Sequence, residues 1–396
     1  MLADRSRLRF LTVSYLIAGL IGTAIAGSRA GAEPALRPPS QADHAHWYRV
    51  PNPATGSLRA VDMVSSDVAW AVSMSSVDGP GQVLVFRDGT WQAASTHRNV
   101  YLMSIGMLSE TEGWAVGYEL GGTTRSVLLP IRSGRVGPVE RTPCHSLYDV
   151  QLLSPSEGWA VGSGGSGGKE MCMAHLQNGS WSPVPSPGAG LLIGVEMVDA
   201  ERGWAVGWEG KTLLYDDGAW REVPGPESPD APAGYLDFAL MDMDRGWAVG
   251  GFGRSTLRLA DGRWNVVDTG FDIVLGGVDM LSGDLAFAAG RGKSGATDKP
   301  FVLRFQDGGW REEDLSRASA DIGLLDVDMI APDDGWAVGF RNTLRYGVPP
   351  WATATASPTA LPTLDATPTA APTGPPSYLP ALLCGARFVG ITSARR

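Results

Sequence analysis

The chain has 396 residues, 43% hydrophobic and 19% charged, with a formal net charge of −10. The composition is globular, and an acidic body lacks the cationic footprint that nucleic-acid binding needs. Three scattered cysteines (Cys144, Cys172, Cys384) and five histidines without ligand spacing argue against a zinc site, and no metal or cofactor is implied.

At the N-terminus, Arg5, Arg7 and Arg9 precede an uncharged apolar run from Phe10 to about Gly27. Small-residue cleavage patterns follow at Ala24-Ile25-Ala26 and Ala30-Gly31-Ala32. Residues 1–32 therefore read as a signal peptide, or, because the run is long, as an uncleaved N-terminal anchor. Either places the body outside the cytoplasm, secreted or at the cell surface. Residues 33–46 read as a linker.

From residue 47 to 346 the chain repeats. Gly-Trp-Ala-Val-Gly occurs five times, with weaker copies around Trp70 and Phe287. The aromatic positions Trp70, Trp114, Trp159, Trp204, Trp247, Phe287 and Trp336 define seven units with steps of 40 to 49 residues, a period typical of propellers. Nine and seven residues before each aromatic stand long apolar side chains (Val61 and Met63 in unit one, Val327 and Met329 in unit seven), the spacing of a half-buried strand. A short polar turn leads to the pentapeptide, the second strand. Its Trp and Val point to one face, and its Gly and Ala leave the other bare for a neighbouring sheet to approach. A third strand, such as Thr212–Tyr215, runs into an Asp-Gly or Asn-Gly hairpin turn and a second tryptophan: Trp91, Trp181, Trp220, Trp264 or Trp310. Unit two departs, with Ser133-Gly134-Arg135-Val136.

Four antiparallel strands per unit make a propeller blade. Unit seven has no fourth strand after Tyr346, but Trp47–Pro53, which matches Trp181–Pro187, stands alone before unit one. The expected fold is an all-β, seven-bladed propeller whose ring is closed by this N-terminal strand, removing the free edge. Residues 347–377 are an Ala/Thr/Pro-rich stalk unable to bury a core, and 378–396 a short apolar and basic tail.

These units resemble the β-propeller repeats of the photosystem II assembly and stability factor family, which sits beside the sialidase-type propellers. The resemblance covers residues 47–346 and rests on the pentapeptides and the Asp-Gly-x-Trp turns. It implies the fold. The turns are contracted relative to the sialidase Asp box, Ser-x-Asp-x-Gly-x-Thr-Trp, and no Phe/Tyr-Arg-Ile-Pro segment is present.

No catalytic constellation is recognisable, so a non-enzymatic, monomeric scaffold is expected. The alternative is a glycan-binding or glycoside-hydrolysing propeller. Two sets of residues are candidates for binding. Eight residues before the aromatic lie Asp62, Glu196, Asp279 and Asp328, with Gln151 in the same position. These acids either gather a cation or basic peptide at the channel or alternate with the buried Val and Met and point between blades. The second set lies on the second-to-third-strand loops and blade links, which vary in length while the other turns are uniform. That loop-rich face carries His97, Arg98, Arg125, Lys169, Lys211, Arg254, Arg291, Lys293 and Arg341, a surface suited to a protein or glycan partner. Cys144 and Cys172 are separated by the Trp159 strand, and two strand spacings exceed a disulfide's reach unless a loop bends in.

Overall fold

The computed structural model describes residues 45–349, except 75–79, 122–124, 166–168, 227, 229–230, 232–233, 252, 293–298, 319–322 and 341. The expected signal, stalk, tail and Cys384 lie outside the described residues. Among those described there is no helix, and the strands form five four-stranded sheets and one seven-stranded sheet, all antiparallel. In unit one Ser57–Ser65, Val68–Met74, Gly81–Arg87 and Thr90–His97 follow one another across the sheet. Units two, three and four repeat this order. Units five and six share the long strand Arg263–Ser282, which serves as the fourth strand of one and the first of the next.

The fourth strand beside unit seven comes from the other end of the chain. His46–Arg49 pairs with Thr343–Gly347, with Trp47 opposite Tyr346. Trp47 is fully buried, in one core with Phe287 and Leu344.

Asp-Gly and Asn-Gly turns form because both central residues adopt positive φ, which Asp, Asn and Gly tolerate. Asp217 and Gly218 have φ of 51° and 77°. Unit two reaches the same turn with Ser133 at 51° and Gly134 at 72°, so its departure is one of sequence only.

The pentapeptide divides its faces between two neighbours. Trp204 and Val206 join Phe238, Leu257 and Trp264 of unit five, while Ala205 joins Trp159 and Val161 of unit three. The bare face thus receives the preceding unit at alanine. The glycines answer a different need, inside their own sheet. The first strand is bulged between Leu102 and Ser104 and again between Met107 and Ser109. A Cβ on Gly117 would overlap the Tyr101 carbonyl oxygen there, and one on Gly113 the Met107 sulfur.

Each second tryptophan packs edge-on against the pentapeptide tryptophan of the unit before it. Ring centroids lie 5.6 Å apart for Trp181 and Trp114, 5.4 Å for Trp220 and Trp159, 5.9 Å for Trp264 and Trp204, and 4.9 Å for Trp310 and Trp247. Trp91 of unit one packs in the same way on Trp336 of unit seven, at 5.1 Å. Edge-to-face pairing suits the ring quadrupoles and adds to burial.

The spacing argument against a disulfide is overturned. Cys144 and Cys172 are bonded, with Cα atoms 5.6 Å apart. Cys144 precedes the first strand of unit three, on a link that runs back along unit two. Leu128 and Glu140 exchange backbone hydrogen bonds on that link, and Ser126 N–H donates to the Cys144 carbonyl. The intervening strand places Gly162 opposite Cys172, so no side chain stands between the two sulfurs.

Two stability predictions follow from these contacts. Trp204→Ala, which empties a site only 2% exposed, should cost ~3–5 kcal/mol by urea denaturation. Replacing both Cys144 and Cys172 by serine should cost ~3–4 kcal/mol, because their bond closes a 28-residue separation.

Candidate functional site

The first strand of every unit is the innermost, and one of its edges has no strand partner. The backbone N–H groups of that edge need acceptors from elsewhere. The expected channel acids meet that need. Asp62 Oδ2 accepts the Met107 N–H of the next unit at 2.7 Å, and Asp279 Oδ2 accepts that of Met329 at 2.8 Å. Gln151 accepts from Met197 in the same way, and Asp328 of unit seven from Met63 of unit one. Glu196 receives the Gln151 amide at 3.4 Å. In units one, three, six and seven the polar residue eight before the aromatic thus holds the seam to the following unit.

A second set, two residues earlier, escaped the sequence reading. Asp149 Oδ2 accepts from Val195 N–H, Asp237 Oδ2 from Val278 and Asp326 Oδ2 from Val61, each at 2.8 Å. They stand ten residues before the aromatic in units three, five and seven and bridge to units four, six and one. Their signal was an acid at an inner-strand position in alternate units, too sparse to separate from surface charge. Because residue ten reaches residue nine of the next unit and residue eight reaches residue seven, the inner strands run side by side in one direction.

Together these strands line a cavity of about 220 Å³ with residues from all seven units. Arg59 is its only basic lining residue. Burial raises the carboxyls of Asp149, Asp237 and Asp326, and the positive charge of Arg59 lowers each in part. Among the described residues no cluster of His, Cys, Asp and Glu is arranged to hold a metal ion.

Planar side chains, also unforeseen, cap the pentapeptide aromatics from the third strand. His175 stacks on Trp159 with ring centroids 3.9 Å apart and meets Glu157 at 2.5 Å. The guanidinium carbons of Arg258, Arg304 and Arg345 lie 5.6, 5.2 and 5.0 Å from the rings of Trp247, Phe287 and Trp336.

The loop-rich end of the sheets is built differently. His97 is half-buried, its Nε2 lies 2.9 Å from Ser95 Oγ, and burial pulls its pKa down. Arg98, Arg125 and Lys169 are exposed. Lys211 Nζ pairs with Glu222 at 2.5 Å, and Arg254 Nε approaches Asp268 at 3.4 Å. Arg291 is half-buried beside Gly323. Lys293 and Arg341 lie outside the described residues. The cations thus share one end of the sheets, but Glu119, Glu222 and Asp268 are interleaved with them. Trp208, which no repeat feature marked, also lies here. It is 37% exposed, the one tryptophan among the large exposed hydrophobics described.

The fold is that of known propellers. A structure of YCF48 bound to D1 peptide aligns with a TM-score of 0.55 at 15% identity, covering 76% of this chain and 96% of that one. YCF48 from Cyanidioschyzon merolae gives 0.55 at 17%, covering 76% and 99%. The WD40 β-propeller domain of Doa1 gives 0.58 at 13%, covering 78% and 99%. At these identities the likeness is one of fold. No protein-family model and no curated protein sequence matches the chain. Among the described residues no helix is long and apolar enough to cross a membrane.

The inner-strand acids are testable as seam bonds. Asp279→Ala strands the buried Met329 N–H and should cost ~1–3 kcal/mol in chemical denaturation. Asp279→Asn keeps an acceptor oxygen and should recover most of that loss.

Proposed function

We propose that the chain is an exported, non-enzymatic, seven-bladed propeller that binds a protein partner through its loop-rich face, in the manner of an assembly factor. One observation carries this reading: the conspicuous residues are occupied by architecture. The pentapeptide aromatics are at most 4% exposed, and the inner-strand acids accept backbone N–H groups. Chemistry that varies from unit to unit is left to the loops, where Trp208 stands among His97, Arg98, Arg125, Lys169, Lys211, Arg254 and Arg291. Exposed tryptophan and arginine are the residue types that anchor protein interfaces.

Seven blades and a closed ring are supported by the pairing of His46–Arg49 with Thr343–Gly347 and by the bonds from Asp326 and Asp328 to unit one. Export is supported by the N-terminal sequence and by the Cys144–Cys172 bond, a feature of oxidising compartments. YCF48 with D1 peptide provides a precedent for a propeller that takes a peptide.

Cross-linking of the full chain in its native envelope or medium, read by mass spectrometry, should place the partner on peptides carrying Arg98, Arg125, Lys169 and Trp208. Trp208→Ser should reduce partner recovery at least several-fold while leaving the melting curve unchanged. Cross-links confined to the Asp-Gly turns, or glycoside turnover and glycan-array binding with no protein recovered, would overturn the reading.

A further inference from the structure

Asp149, Asp237 and Asp326 are half-buried carboxylates from three different units around one cavity. Each spans a seam, and the three seams (three to four, five to six, seven to one) are spread around the molecule. Asp149 and Asp237 repel each other when both are charged, as do Asp237 and Asp326. The neighbouring groups are few. Ser104 Oγ donates to Asp149 Oδ1 at 2.6 Å, and Arg59 is the cation they share. The other titratable residues lining the cavity are Tyr148, Asp62, Glu196, Asp279 and Asp328.

We infer that this cavity is an acid-tightened latch: neutralising the carboxyls of Asp149, Asp237 and Asp326 holds the seams they span more firmly. Protonation removes buried negative charge and the repulsion between the carboxyls. The carbonyl oxygen of a neutral carboxyl still accepts the Val195, Val278 or Val61 N–H, so the seam bond survives and the charge penalty is lost.

The sign follows from linkage. Burial lifts these groups above the ordinary aspartate value of 3.8, so the folded state holds more protons than the unfolded one. Stability is lowest where all three are ionised and rises as pH falls through their folded values toward 3.8. Each extra proton held by the folded state multiplies the folding equilibrium constant by up to about tenfold per pH unit.

The test is urea denaturation of the full chain from about pH 8 down to about pH 4. Wild type should gain stability on acidification. The triple variant D149N/D237N/D326N, which keeps an acceptor oxygen at each seam, should lose most of that gain. A control with three exposed acids replaced, D88N/D217N/D284N, should keep it. Should the buried triple not fold, Asp237→Asn alone should flatten the profile in part. Arg59→Gln should steepen it, because the charge that holds the three carboxyls down is gone. A wild-type profile matching that of Asp237→Asn, or one left unchanged by Arg59→Gln, would overturn the latch.

Discussion

A sheet with an inner edge must satisfy that edge, and the rest of this molecule is arranged around how it does so. Along the cavity the first strand of each unit has one edge without a strand partner, and the N–H groups of that edge face the cavity. Carboxylates answer the need because they accept strongly and are short enough to reach one strand further. Asp62, Asp279 and Asp328 serve position seven of the next unit, and Asp149, Asp237 and Asp326 serve position nine. The cost is a concentration of negative charge in one small cavity, which burial makes expensive.

The outer part of each seam is apolar. Pentapeptide tryptophans lie edge-on to the second tryptophans, and alanine on the opposite face admits the unit before. Seams held at two radii, polar within and aromatic without, resist both sliding and splaying. They also use up the residues a reader of the sequence notices first.

The repeat, the hairpin turns and the orphan strand were legible because each depends on neighbouring residues: alternation for strands, positive φ for Asp217-Gly218, and a Trp-x-x-Val-Pro match for Trp47. The inner acids were visible at position eight, but their role was not, since the acceptor is needed by a strand about 45 residues further on. Asp149, Asp237 and Asp326 were missed because a bulge at the start of the strand turns position ten toward the cavity, and a bulge leaves little mark in sequence. The Cys144–Cys172 bond was misjudged for a related reason. Counting strands gave two spacings between the cysteines unless a loop bends in, and the link carrying Cys144 does bend, folding back along unit two. Trp208 was lost among fourteen tryptophans, because nothing in its immediate sequence separates an exposed indole from a buried one.

The strand that joins the first and last units also orients the molecule. His46 stands opposite Gly347 in register, so the polypeptide enters and leaves the described fold side by side. Gly347 ends a third strand, and third strands in the other units end at the Asp-Gly turns. Both ends of the described chain therefore lie at the end of the sheets that carries the uniform turns, and Trp208, Arg98 and Lys169 lie at the far end of their sheets. The pairing that completes the last sheet thus sets both described ends apart from the irregular loops.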